Sequence, residues 1–234
     1  MENIGKIIRT VALIGVGGFL IALVIFNVSS GSTAGEKAWD LRTTVGNHEA
    51  KNHFIMYTDL ACPYCDVFSR AVMENEEEFQ QLIAENDIMV EIRLMDFLYH
   101  YGENKPEMSK WSAEATVCAT EKDKFWDYYH ASLKALWDDY HSKGIGTSKT
   151  APKIEGMTRD YWVNIGEKVG LDKDEFSTCM DSEETTRTLA ERREKTLRAN
   201  AQGMPYFVEG KFKQSGFDNT WGWEEAKTFL TAGI

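Results

Sequence analysis

The run His53-Phe54-Ile55-Met56-Tyr57-Thr58-Asp59-Leu60-Ala61-Cys62-Pro63-Tyr64-Cys65 decides how this chain folds. Its first half, 53–59, is rich in β-branched and aromatic residues and reads as a buried strand. Beyond the cysteines, Val67, Phe68, Ala71, Val72, Phe79 and Leu82 recur at helical spacing and predict a helix over about 63–84. Cys62 therefore falls at the start of a helix. Pro63 suits the first helical position, where the N–H it lacks would have had no intrahelical partner. Two cysteines at this spacing can close a small disulfide on one helical turn. The free N–H groups and the dipole of the helix N-terminus favour a thiolate at Cys62. Cys62 is then expected to be the exposed nucleophile, and Cys65, one turn in and more buried, the resolving thiol. The competing readings are a purely structural bridge and half of a zinc site. Zinc needs four ligands, usually from a second Cys pair or a His pair at short spacing, and the sequence offers neither. No metal and no cofactor is called for, since the two sulfurs can carry redox chemistry themselves.

Upstream, Lys6 and Arg9 precede an uncharged stretch, 10–28, that includes Leu13, Ile14, Phe19, Leu20, Ile21, Leu23, Val24, Ile25 and Phe26. A bilayer core needs about 20 helical residues, and this run is just long enough. A cleavable signal has a shorter apolar region, about 7–15 residues; small residues around 28–34 still leave cleavage open. The expectation is an uncleaved transmembrane signal anchor over 10–28, with 1–9 in the cytoplasm and a small, polar linker over 29–39. The remainder, 40–234, is about the size of one domain and would lie outside the cytoplasm.

That remainder holds ample core material: the chain has seven Trp, twelve Phe and nine Tyr. Net charge is −11, from 37 acids against 26 bases, which argues against nucleic acid and against adhesion to an anionic membrane surface. Four cysteines in an exported chain suggest two disulfides. Of the three possible pairings, only Cys118 with Cys179 leaves the local pair intact; the alternative is two separate buried thiols.

Along the domain, the strand at 53–59 and the helix after it lead to a second strand, Ile88–Leu94. Strand, helix, strand makes a βαβ unit with parallel strands and a right-handed crossover. A long helical region follows. Trp111, Ala115, Val117 and Cys118 line one helix, and Phe125, Trp126, Tyr129, Leu133, Leu136 and Trp137 another. Residues 144–153 read as a loop. Thr158 can cap a helix through Tyr161, Trp162, Ile165 and Val169, closed by Gly170. Asp172 and Glu175 form a capping box for a short helix carrying Phe176 and Cys179, and 182–201 is a charged helix. The pattern then turns to β: Tyr206-Phe207-Val208, a Glu209-Gly210-Lys211 turn and Phe212-Lys213-Gln214 predict an antiparallel hairpin. An amphipathic helix over 221–230 closes the chain. Pro205, directly before a strand, fits either a cis Met204–Pro205 bond or an ordinary trans turn.

Asp59-Leu60-Ala61-Cys62-Pro63-Tyr64-Cys65, the stretch from Val169-Gly170-Leu171-Asp172 to Cys179, and Gly203-Met204-Pro205-Tyr206-Phe207-Val208-Glu209-Gly210-Lys211 occur here in the order found in DsbA-like thiol–disulfide oxidoreductases. The resemblance covers nearly all of 40–234. It implies an α/β thioredoxin-like fold: a central mixed β-sheet flanked by helices, with a helical subdomain inserted at about 103–182. It also implies that Cys62 and Cys65 are catalytic with Pro63 and Tyr64 between them, and that Pro205 is cis beside them. Met204 would then offer its backbone to a bound substrate chain. A second disulfide within the insertion occurs in some members, notably actinobacterial ones, and supports Cys118–Cys179.

Three positions depart from the family. Members usually carry a buried acid six residues before the first cysteine, where this chain has Met56; Asp59 or a water is left to handle the proton. Met204 replaces the usual Thr or Val before the proline. Tyr64 replaces the His of the best-known member and cannot contribute positive charge, so a weaker oxidant is expected. The resemblance implies a membrane-anchored extracytoplasmic enzyme that introduces disulfides into exported proteins bearing free thiols. A DsbB-like or vitamin-K-epoxide-reductase-like (VKOR-like) membrane partner would re-oxidise it. The alternatives are an extracytoplasmic reductase or isomerase, and a non-catalytic thioredoxin-fold binding module.

Overall fold

Strand β2 (Asn52–Thr58) is buried from His53 onward on both faces, as a continuous apolar and aromatic run dictates for a central strand. The computed structural model describes residues 37–147 and 154–234. The 1–9 and 10–28 segments and most of the 29–39 linker lie outside the described residues, as does 148–153 of the expected loop. Among the described residues, no helix is long and apolar enough to cross a membrane.

β2 pairs in parallel with β3 (Ile88–Leu94), Met56 opposite Ile92 and Tyr57 opposite Arg93. On its other side it pairs antiparallel with β4 (Tyr206–Glu209), Met56 opposite Phe207. β4 turns back into β5 (Phe212–Ser215). A short strand, β1 (Thr44–Gly46), adds antiparallel to β3 and completes the mixed sheet in the order β1-β3-β2-β4-β5. β1 was not foreseen, because three residues are too few to show a periodicity. It ends at Gly46, where φ is +98° and a Cβ would stand 2.5 Å from the Ile88 carbonyl oxygen, so only glycine fits.

The helix expected over 63–84 is two helices, α1 (Pro63–Glu74) and α2 (Glu76–Glu85), broken at Asn75 with φ −124° and ψ 39°. The Asn75 side-chain amide donates to the Ala71 carbonyl at 2.9 Å, a local bond that competes with the helical ladder. Glu76, Glu77 and Glu78 then stand in the first turn of α2, where the helix dipole favours acids. Together with α9 (Trp223–Thr231), α1 covers one sheet face through an aromatic cluster. Phe68 and Phe229 lie 4.8 Å and 4.7 Å from Phe207, centroid to centroid.

Between β3 and β4 run α3 (Phe97–Tyr101), α4 (Glu107–Glu121), α5 (Phe125–Asp139), α6 (Arg159–Lys168), α7 (Lys173–Met180) and α8 (Glu183–Arg198). Trp162 and Tyr128 are fully buried among them. Gly166 in α6 is imposed by packing: a Cβ there would meet the Phe176 ring at 2.6 Å. Thr158 stands at the N-cap of α6 without a side-chain cap bond, so that expectation holds by position only. Asp172 does cap α7, accepting from the N–H groups of Asp174 and Glu175. A disulfide joins Cys118 of α4 to Cys179 of α7.

The other sheet face buries a charged cluster. The Glu91 carboxylate accepts from the Trp39 N–H at 2.7 Å and pairs with Arg93 at 2.8 Å and with the His53 ring at 2.9 Å. Arg93 also donates to the Tyr57 hydroxyl at 2.7 Å. Each member meets an opposite charge or a hydrogen-bond partner, as burial of such groups requires.

Candidate active site

The loop after β2 is folded by one carboxylate. Asp59 Oδ1 accepts from the Ala61 N–H at 2.8 Å, while Oδ2 accepts from the Leu98 N–H at 2.8 Å and the Ser109 hydroxyl at 2.6 Å. The side chain is fully buried. Burial pushes its pKa up to about 6 against the pull of those three bonds. The Asp59 carbonyl in turn accepts from the Cys62 N–H at 2.9 Å, closing the turn that feeds α1.

Cys62 is the N-cap of α1, with extended backbone (φ −89°, ψ 115°) and Pro63 directly after it. Its carbonyl accepts from the N–H groups of Cys65 and Asp66. Its thiol points across the molecule and donates to the Met204 carbonyl oxygen at 3.6 Å. The Met204–Pro205 bond is cis. Because β2 and β4 are antiparallel with Tyr57 opposite Tyr206, the C-terminal end of β2 and the N-terminal end of β4 lie side by side. The structure thus brings Cys62, Cys65, Met204 and Pro205 together at one end of the sheet, and leaves Cys118 and Cys179 in the helical region.

Cys62 and Cys65 are both free thiols here. Cys62 is only 4% exposed, which corrects the expectation of an exposed nucleophile: Met204, itself buried, lies against it. Cys65 is 1% exposed. Burial pushes its thiol well up, the neighbouring Cys62 adds to the rise, and the Thr58 hydroxyl and Asp59 backbone oppose it. Tyr64 is half-buried; burial raises its phenol, with smaller contributions from Asp218 and Cys62.

Met56 is fully buried and lines an apolar cavity of about 270 Å³ behind α1, together with Phe68, Val90 and Ile92. No carboxylate stands at that position. Two pairs that sequence reasoning missed flank the cysteines instead. The Ser69 hydroxyl donates to the Cys65 carbonyl at 2.9 Å and lies 2.7 Å from the Tyr129 hydroxyl. Asp66 is bound by Arg70 at 3.1 Å and by His141 at 2.8 Å. Ser69 and Tyr129 are 60 positions apart, Asp66 and His141 75, so no local pattern could have signalled either. Among the described residues, no group of three or more His, Cys, Asp or Glu side chains is placed to hold a metal ion.

A Cys-x-x-Cys at the N-terminus of the first sheet-covering helix, faced by a cis-proline loop, defines a thioredoxin-fold protein, here with a DsbA-like helical insertion. The family model for thioredoxin matches residues 40–230, and the chain belongs to that family. A search of the curated proteins found no match. Among solved structures, the chain is similar to a thioredoxin-like oxidoreductase from Silicibacter pomeroyi DSS-3, with 20% sequence identity, TM-score 0.56 and coverage of 81% of this chain and 90% of that one. It is similar to BdbD from Bacillus subtilis in its oxidised form, at 13% identity and TM-score 0.61, covering 87% and 98%. It is also similar to MdbA, a thiol-disulfide oxidoreductase from Actinomyces oris, at 14% identity and TM-score 0.58, covering 87% and 91%. At these identities the likeness establishes a shared fold.

Proposed function

We propose that the protein is a thiol–disulfide oxidoreductase that introduces disulfides into exported proteins through Cys62 and Cys65, from a domain anchored to the outer side of the cell membrane by 10–28. The observation that carries this reading is the Cys62 thiol at the N-terminus of α1, held against the Met204 carbonyl with Cys65 one turn deeper. With the pair oxidised, a substrate thiolate attacks the Cys62 sulfur. Cys65 leaves as a thiolate and takes up a proton. A second substrate thiolate then attacks the substrate sulfur of the mixed disulfide, and Cys62 departs reduced. Two electrons pass from substrate to enzyme, and a DsbB-like or VKOR-like quinone-linked membrane partner returns the pair to the disulfide. Met204 and Pro205 form the substrate-facing loop, where the Met204 backbone, now in contact with the Cys62 thiol, would pair with an extended substrate chain in β fashion. The Cys118–Cys179 bridge is structural.

The deciding experiment uses the full-length chain. Wild type should oxidise a reduced, unfolded substrate, Cys62→Ser should not, and Cys65→Ala should accumulate a mixed disulfide through Cys62. A Cys62→Ser variant as fast as wild type would refute the assignment. Direction follows from the equilibrium potential against glutathione: about −120 to −180 mV fits a disulfide donor, and about −270 mV a reductase.

A further inference from the structure

One patch of surface inverts the charge of the rest. On the sheet face away from α1, an open cleft of about 610 Å³ lies between residues 37–39, the last turn of α8, and β5. Its charged lining is Lys37, Lys195, Arg198 and Lys213, with no Asp or Glu among the lining residues. In a chain where acids outnumber bases 37 to 26, four cations and no acid around one cleft is a local reversal. Arg198 is taken up by Glu194, one turn back on α8, at 2.5 Å. Lys37, Lys195 and Lys213 have no carboxylate at ion-pair distance among the described residues. They come from three separate segments, the chain before the first strand, α8 and β5, so no single helix face or dipole explains their convergence.

The floor is aromatic and fixed. The Trp39 ring lies edge-on to Tyr57, 5.6 Å between centroids, and its backbone N–H is tied to buried Glu91. The Arg93 guanidinium sits 4.4 Å from the Trp39 ring and the Lys195 ammonium 5.3 Å. Glu91 neutralises Arg93. A space of this size takes an organic molecule rather than one small ion. Lysines bind phosphate groups as point charges, and an immobilised indole offers a flat wall to the body that carries them.

We propose that this cleft binds a polyanion bearing two or more phosphate groups, held by Lys37, Lys195 and Lys213 against Trp39. The chemistry is that of a dissolved phosphorylated compound or of anionic phospholipid headgroups. The overall charge of −11 repels such groups at long range, but screening at physiological salt acts beyond about 8 Å, inside which the cleft's own charges dominate. The site is independent of the thiol chemistry.

The test titrates the full-length chain, in a neutral detergent, with inorganic tripolyphosphate and separately with phosphatidylglycerol dispersed in the same micelles. Binding is followed by calorimetry at two salt concentrations. Wild type should bind one or both, more weakly at higher salt. The Lys195→Gln/Lys213→Gln variant should bind at least tenfold more weakly while oxidising substrate at the wild-type rate. Binding of tripolyphosphate marks a dissolved ligand, and binding of phosphatidylglycerol alone marks the membrane. No binding of either probe to wild type, or equal binding by the variant, overturns the proposal.

Discussion

The sulfur of Cys62 stands 3.6 Å from the carbonyl oxygen of Met204, a residue 142 positions later in the chain. That contact closes the active site from the side opposite α1 and leaves Cys62 almost as buried as Cys65. The two thiols still differ in depth and surroundings. Cys65 is enclosed one turn inside the helix, where burial pushes its thiol well up and reduces the thiolate available to attack. In the reduced full-length chain at pH 8, iodoacetamide is therefore expected to label Cys62 at least tenfold faster than Cys65, as read by peptide mass spectrometry over time. Equal labelling would mean that the depth difference has no chemical consequence.

The turn before Cys62 hangs on the three bonds accepted by Asp59. Asp59→Ala strands the buried Ala61 N–H and Ser109 hydroxyl and the partly buried Leu98 N–H, each buried group costing about 1–3 kcal/mol. A loss of about 3 kcal/mol or more is expected in denaturant unfolding. Asp59→Asn keeps one acceptor oxygen and should lose distinctly less. Equal losses would show that the carboxylate's bonds do not hold the loop.

Glu209 on β4 is 1% exposed, and its Oε2 has no hydrogen-bond partner among the described residues. Burial pushes its carboxyl up to about 7, with His53 pulling the other way. A carboxyl whose folded pKa exceeds its ordinary 4.5 binds its proton more tightly when folded. Its ionisation therefore costs stability as pH rises from about 4.5 through 7. Glu209→Gln should raise the Tm at pH 8, and the gain should shrink to nothing near pH 4.5. A gain independent of pH would assign the effect to packing instead.

The Cys118–Cys179 bridge spans 61 residues and ties α4 to α7. In the chain-entropy account such a loop contributes about 4 kcal/mol, commonly somewhat less in practice. The Cys118→Ser/Cys179→Ser variant should unfold about 2–4 kcal/mol more easily while retaining substrate oxidation through Cys62. A variant that folds normally but has lost exchange would place the second pair in the electron path.

Much of the fold was legible because its signals are local. The strand at 53–59, Ile88–Leu94, the 206–214 hairpin and the helices through Trp111 and Phe125 were read within a residue or a few of where the structure has them. The break at Asn75 was missed because the apolar spacing continues through it, and only the side-chain bond to Ala71 shows why the ladder stops. The burial of Cys62 was misread because it is imposed by Met204, far away in sequence.

By itself the sequence determined the order of strands and helices, the cysteine pair at a helix start and the proline before a strand. Alternation and helical periodicity are properties of neighbouring residues, and they survive in a list of letters. Tertiary structure alone decided the geometry of the Met204–Pro205 bond, which local sequence had left even between cis and trans. It also decided the placement of the Met204 carbonyl against the Cys62 sulfur, the Ser69–Tyr129 and Asp66–His141 pairs, and the convergence of three lysines on Trp39. Each of these brings together groups from distant parts of the chain. Their distances are set by how the helices pack on the sheet, which no spacing within one element records.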